Sequence, residues 1–261
     1  MNAWLPYTTD TARTALACLD LTSLNDGDRD AGGEADIVAL AARARGRFGP
    51  PAALCVWPRL AALARREAPP EVAIAAVANF PQGGTDVEAA VRDTAAIVQA
   101  GAQEVDLVLP WRALQAGDDR AAAAVLAAVR RACEGLRLKV ILETGELADD
   151  AVIRRAAALA LAEGADFLKT STGKTPTGAT PAAARALLET IAATPGSLAG
   201  FKVSGGVRTV ADAALYMGLV RDVLGPAALT RQRFRIGASG LLTDIEAVLG
   251  GGRATAPASS Y

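Results

Sequence analysis

Only four lysines, Lys139, Lys169, Lys174 and Lys202, stand among the 27 basic residues of this chain, and it has no histidine. Arginine keeps its proton inside a protein, whereas lysine can lose it, and only lysine forms an imine with a carbonyl compound. The missing histidines remove the commonest general base and the commonest transition-metal ligand. Acid–base chemistry here must therefore run through carboxylates, lysines, tyrosines or water. Lys169, within Asp166-Phe167-Leu168-Lys169-Thr170-Ser171-Thr172-Gly173-Lys174, is the candidate amine nucleophile.

A second set of residues suits an anion. Ser171-Thr172-Gly173-Lys174-Thr175, Gly205-Gly206-Val207-Arg208-Thr209 and Gly237-Ala238-Ser239-Gly240 each follow a short apolar run and precede a helical one. Glycines at such turns let backbone N–H groups approach a phosphate, with a helix N-terminus behind them. Gly173-Lys174-Thr175 also resembles the end of a P-loop. Leu168 occupies the position of that motif's first glycine, which excludes the reading.

The elements that must position these residues follow from periodicity. Strands are expected at 16–21, 53–57, 72–78, 104–109, 138–143, 166–170, 200–204 and 234–238. Helices are expected near 34–46, 58–67, 86–100, 118–134, 149–162, 181–193, 209–222 and 242–249. Asp86, Asp118, Asp149 and Thr180 stand where N-caps belong. Strict alternation of strand and helix implies a parallel sheet, and eight repeats in 261 residues imply a closed barrel over an open sheet, a single α/β TIM (β/α)8 barrel. The barrel is expected over residues 1–249, with 250–261 as a flexible tail.

Active sites of this fold gather at the C-terminal ends of the strands. Side chains along a strand alternate between barrel interior and helix layer. If Leu19, Leu21, Val105, Leu107, Leu138, Val140, Leu168, Phe201 and Val203 face the helices, then Asp20, Asp106, Lys139, Lys169 and Lys202 enter one interior, with Glu143 on the same face as Lys139. Lys169 and Lys202 fall on consecutive strands at matching depth. Two ammonium groups that close disfavour each other's charge, and burial acts in the same direction, so one amine should be neutral near pH 7. Asp106 and Lys139 are suited to a charged pair that relays protons through water. An ion-pair network with no chemistry is the alternative use of these groups.

A net charge of −1 leaves no electrostatic footprint for nucleic acid or an anionic membrane. Apolar runs such as 121–129 are too short to span a bilayer, which needs ~20 residues. The start, Met1-Asn2-Ala3-Trp4-Leu5-Pro6, has neither a basic nor an apolar leader segment. Cys18, Cys55 and Cys133 fit neither a disulfide framework nor a zinc site, so a cytoplasmic location is expected.

Taken in order, several segments resemble the deoxyribose-phosphate aldolase family over nearly the whole chain. They are Leu19-Asp20-Leu21-Thr22-Ser23-Leu24-Asn25, Cys55-Val56-Trp57-Pro58-Arg59, Val77-Ala78-Asn79-Phe80-Pro81, Glu104-Val105-Asp106-Leu107-Val108-Leu109-Pro110 and Lys139-Val140-Ile141-Leu142-Glu143-Thr144-Gly145-Glu146-Leu147. Phe167 to Lys174, Phe201 to Thr209 and Arg235-Ile236-Gly237-Ala238-Ser239 complete the series.

The resemblance implies a class I aldolase that reversibly cleaves 2-deoxy-D-ribose 5-phosphate to D-glyceraldehyde 3-phosphate and acetaldehyde, with no metal and no cofactor. It implies Lys169 as the imine-forming lysine, Lys202 as the lysine that perturbs it, and Asp106 as the proton-relay carboxylate, with Lys139 and Asp20 in support. Phosphate binding would fall on Gly173, Lys174, Gly205, Gly206, Val207, Gly237, Ala238 and Ser239. Some members end in a tyrosine that assists proton transfer, and this chain ends in Tyr261. Partners implied are a phosphorylated sugar and acetaldehyde, and the resemblance is compatible with a homodimer or larger homo-oligomer. Gly240 stands where some members carry a second serine, and Val203-Ser204 where some carry Pro-Ala. A Schiff-base aldolase for another phosphorylated sugar and a catalytically silent sugar-phosphate sensor are the alternative functions. A metal-dependent aldolase would lack histidine ligands.

Overall fold

A computed structural model describes residues 8–252. Eight parallel strands close into a barrel in sequence order: β1 (Leu19–Thr22), β2 (Ala53–Val56), β3 (Ala73–Ala78), β4 (Glu104–Val108), β5 (Arg137–Ile141), β6 (Phe167–Lys169), β7 (Gly200–Ser204) and β8 (Phe234–Ala238). The single TIM barrel read from periodicity is therefore the fold. Of the expected tail 250–261, residues 253–261, Tyr261 among them, lie outside the described residues.

Helices pack around the barrel because their apolar faces have no other partner. Their starts are set by the residues the sequence marked. Asp86, Asp118, Asp149 and Thr180 each accept a bond from a backbone N–H in the first turn of the helix that follows. Thr209 and Asp212 form a reciprocal capping box at the start of helix Val210–Leu224.

Two expectations need correction. Periodicity starts the first strand at residue 16, but helix Thr9–Ala17 occupies that position and the strand begins at Leu19. Thr8 caps that helix, and Ala12, Ala15 and Leu16 give it a helical stripe that packs into the core. The fifth strand ends at Ile141 instead of running through residue 143. Glu143 adopts a left-handed backbone, φ 55° and ψ 56°, and starts a short turn, Thr144–Leu147.

The inside of the barrel is unusual for being charged. Asp20, Glu104, Asp106, Lys139, Lys169, Lys202 and Arg235 are all buried there. At its base Phe167 fills the space left by Gly200, where a Cβ would lie 2.3 Å from the Phe167 ring. The guanidinium carbons of Arg137 and Arg235 each lie 5.7 Å from the centre of that ring.

Candidate active site

The register of the sheet decides which charged groups meet. Asp106 on β4 is paired with Lys139 on β5, and Lys169 on β6 with Lys202 on β7, so both pairs project to the same side. Asp106 is the hub. Its Oδ1 accepts from Lys139 Nζ at 2.6 Å, and its Oδ2 accepts from Lys169 Nζ at 2.8 Å and Lys202 Nζ at 2.7 Å. Lys202 also donates to Asp20 at 2.5 Å, and Asp20 accepts from Arg235 at 2.6 Å. One step deeper, Glu104 binds Lys139 at 2.6 Å and Arg235 at 2.7 Å. The five interior residues read from strand alternation are thus in one network.

Ionised groups persist in such a place only when paired. The interior holds three carboxylates, Asp20, Glu104 and Asp106, against four cations, Lys139, Lys169, Lys202 and Arg235. The two balance if one amine is neutral, and the local physics selects Lys169. Burial lowers the Lys169 pKa, Asp106 opposes this, and Lys202 lowers it further; the net shift is downward. Lys202 is equally buried but is touched by both Asp106 and Asp20, which together outweigh burial and raise its pKa. Burial alone would raise Asp106, but Lys139, Lys169 and Lys202 hold it well below the usual carboxylate range.

The Lys169 ion pair with Asp106 and its lowered pKa pull in opposite directions. A carboxylate shared by three amines cannot compensate the desolvation of each one, so burial prevails and the Lys169 pKa falls. The neighbouring ammonium expected to drive the shift contributes, but burial is the larger cause. Lys169, 3% exposed, also lines the cavity at the barrel mouth, whereas Lys139 and Lys202 are sealed.

That cavity, about 330 Å³, runs from Lys169 to all three glycine turns. Thr172, Gly173 and Lys174 bound it after β6, Gly205, Gly206, Val207 and Arg208 after β7, and Gly237, Ala238, Ser239 and Gly240 at the end of β8. Gly205 and Gly206 hold φ of 85° and 94°, a region that penalises any side chain. Gly237 serves a different end: a Cβ there would lie 3.1 Å from Cε of Lys202, so the glycine leaves room for that lysine's stem.

Two helix starts behave differently toward an anion. The N–H groups at Arg208, Thr209, Val210 and Asp212 are already taken by Asp212, Asp244 and Thr209 side chains. Helix Leu241–Leu249 begins at Gly240, which lines the cavity, and has no side-chain cap competing for its first N–H groups. Lys174, on the opposite rim, is held by Asp26 at 2.7 Å. The 25–33 loop that carries Asp26 is in turn fixed by Trp57, which donates to the Asn25 carbonyl at 2.9 Å, and by Arg59, which bonds the Asp28 carbonyl and Glu34.

Comparison with known proteins agrees with this geometry. The model of the DeoC/LacD family aldolases matches residues 14–242, a span that contains all eight strands. The deoxyribose-phosphate aldolase of Agrobacterium fabrum (strain C58 / ATCC 33970) is 46% identical over 255 residues, 97% of this chain and 96% of that protein. The chain belongs to the DeoC/LacD aldolase family, with the deoxyribose-phosphate aldolases.

Solved structures give the same fold for this family member. An apo structure from Toxoplasma gondii ME49, assigned as a deoxyribose-phosphate aldolase, superposes with a TM-score of 0.84 at 25% identity over 95% of this chain and 99% of that one. The deoxyribose phosphate aldolase of Aeropyrum pernix, described as tetrameric, has a TM-score of 0.69 at 24% identity over 90% and 91% of the two chains. At that identity the likeness speaks for the fold alone.

For this DeoC/LacD aldolase, alternation along the strands located Asp20, Asp106, Lys139, Lys169 and Lys202 but passed over Glu104 and Arg235. Glu104 lies two residues before Asp106 and falls under the same rule, whereas Arg235 shares its face of β8 with Gly237, which packs beside the Lys202 stem. Cys55 is fully buried, and its Sγ lies 3.8 Å from Asp106 Oδ2. Among the described residues no helix is long and apolar enough to cross a membrane.

Proposed function

We propose that the chain is a class I aldolase that cleaves 2-deoxy-D-ribose 5-phosphate to D-glyceraldehyde 3-phosphate and acetaldehyde through an imine on Lys169, in deoxyribose catabolism. The observation that carries this is the amine itself: Lys169 is the one interior lysine that opens on the cavity, and its pKa is lowered. A neutral amine at a cavity wall is what attack on a carbonyl needs.

The Lys169 nitrogen adds to the C1 aldehyde of the open-chain sugar, and loss of water leaves an iminium. Removal of the C3 hydroxyl proton turns C3–O into a carbonyl as the C2–C3 bond breaks. The bond's electron pair moves to the iminium nitrogen, giving an enamine. Glyceraldehyde 3-phosphate departs, a proton adds at C2, and water hydrolyses the new iminium to acetaldehyde and free Lys169. The three glycine turns and Lys174 grip the remote phosphate, so binding energy orients C1 at the amine.

Asp106 stays ionised near neutrality because three amines surround it. It is therefore a weak base. Its role in this scheme is a fixed negative pole that holds the amines and polarises the water that accepts the C3 hydroxyl proton, with Lys139 passing charge behind it.

Borohydride added with 2-deoxyribose 5-phosphate, or with acetaldehyde, should fix a stable adduct on the peptide that contains Lys169. An adduct confined to another lysine, or none, overturns the assignment; binding of the sugar phosphate without turnover would favour a sensor. Lys202→Leu should shift the pH–rate profile upward, because it removes a cation that lowers the Lys169 pKa and leaves Asp106 freer to raise it. An unmoved profile would refute that electrostatic account while leaving the trapped lysine in place.

A further inference from the structure

Glu143 is a buried carboxylate that no cation bonds among the described residues, unlike Asp20, Glu104 and Asp106. The hydrogen bonds to its carboxylate come from one neighbouring loop. The Thr172 N–H reaches its two oxygens at 3.2 and 3.3 Å, the Thr172 hydroxyl donates at 2.5 Å, and the Thr175 hydroxyl donates at 3.3 Å. Its backbone is held left-handed at φ 55°, a conformation costly for a non-glycine residue. The strain places the carboxylate under the loop after β6 instead of in the barrel.

Two further contacts fix the same loop. A Cβ at Gly145 would lie 2.2 Å from the Thr177 carbonyl oxygen, so the turn after β5 and the loop are in backbone contact. On the far side a Cβ at Gly178 would lie 2.5 Å from the Gly205 carbonyl oxygen, and Ala179 N–H donates to that oxygen at 3.0 Å. Loop 172–178 is thus wedged between the turn after β5 and the turn after β7. Thr172, Gly173 and Lys174 line the cavity, whereas neither Glu143 nor Gly145 does.

We propose that Glu143 and Gly145 are positioning residues: they set the height of loop 172–177 at the cavity rim and thereby how strongly the site prefers a phosphorylated over an unphosphorylated sugar. The inference rests on the proposed function, in which this loop is one wall of the phosphate site. A buried carboxylate can accept every hydrogen that Thr172 and Thr175 offer. A carboxamide cannot, because its NH2 end only donates. Burial raises the Glu143 pKa, and the hydrogen bonds from Thr172 and Thr175 act against it by favouring the ionised form.

The test compares the ratio of kcat/KM for 2-deoxyribose 5-phosphate to that for 2-deoxyribose, together with inhibition by inorganic phosphate and borohydride trapping of acetaldehyde. Glu143→Gln should lower the ratio about tenfold, the effect of losing a hydrogen bond to a charged group, and weaken phosphate inhibition by a similar factor. Gly145→Ala should do the same from the backbone side. Both should still trap acetaldehyde on Lys169, since that donor carries no phosphate. If these two variants fail to fold, Thr175→Val, which removes one bond to Glu143, should move the ratio in the same direction to a smaller extent. An unchanged ratio in the folded variants, or loss of acetaldehyde trapping in proportion to turnover, would overturn the proposal. A wild-type protein that neither traps acetaldehyde nor cleaves the sugar phosphate would instead overturn the functional reading beneath it.

Discussion

Lys169→Leu should lower kcat by on the order of 10⁴-fold or more, the scale seen when a covalent nucleophile is removed, while the protein stays folded. Leucine approximates the stem of the lysine but cannot form an imine. The loss to the network is small, since Asp106 keeps Lys139 at 2.6 Å and Lys202 at 2.7 Å. The remaining interior is then balanced, with Lys139, Lys202 and Arg235 facing Asp20, Glu104 and Asp106.

Stability adds a second readout. Lys169 has a folded pKa below its ordinary value. Between that lowered pKa and the unfolded value of about 10.4, the unfolded chain binds one more proton than the native one. Wild-type stability therefore rises with pH through this window, and a leucine variant lacks that slope. The variant's advantage should be largest at the acid end of the window and shrink toward about pH 10. Thermal melts of both proteins across this range, beside kcat, decide the matter. A leucine variant with a tenth of wild-type activity would end the imine assignment.

The barrel and most of the interior were legible because both depend on a period of two. Val105 and Leu107 can be sealed against the helices only if Asp106 points inward, and the same count places Lys139, Lys169 and Lys202. Glu104 and Arg235 obey that count too, but each begins its strand or lies next to the residue that does. A charge at a strand's start reads equally well as the last solvent-exposed residue of the preceding loop. Burial of both depends on the closure of the barrel, which no single strand encodes.

The loops were legible in chemistry but not in position. The three glycine turns announced an anion site, and they do line one cavity. Nothing in the spacing tells that Lys174 is held by Asp26, far away in the chain, or that Gly237 makes way for the stem of Lys202. Only if β5 runs on past Ile141 does strand alternation put Glu143 on the inward face. Its left-handed backbone ends the strand and redirects the side chain, and sequence patterns do not encode a φ of that kind for glutamate.

Asp106→Asn should be the most damaging single change to stability, and it should cost activity as well. The side chain is fully buried and takes bonds from three amines. An amide presents one acceptor and adds donors that face ammonium groups. Removing one partner from a buried ion pair costs about 3–5 kcal/mol because the other charge is stranded. For a chain of this size that is a fall of roughly 10 °C in melting temperature. Activity should fall by about 10²–10⁴-fold, the contribution of positioned acid–base groups.

The pH dependence separates this account from a simple packing defect. In the wild type the folded pKa of Asp106 is depressed, so its contribution is present above the unfolded value of about 3.9 and disappears only as pH falls below that toward the depressed value. In the variant, Lys139 and Lys202 lose the carboxylate that raised their pKa values and face each other with too little compensation. Their protons should come off more readily, so the native state binds fewer than the unfolded one and the stability deficit should narrow as pH rises toward 10. A deficit that is flat with pH would point to packing, and a variant with wild-type melting temperature and turnover would remove Asp106 from the centre of the site.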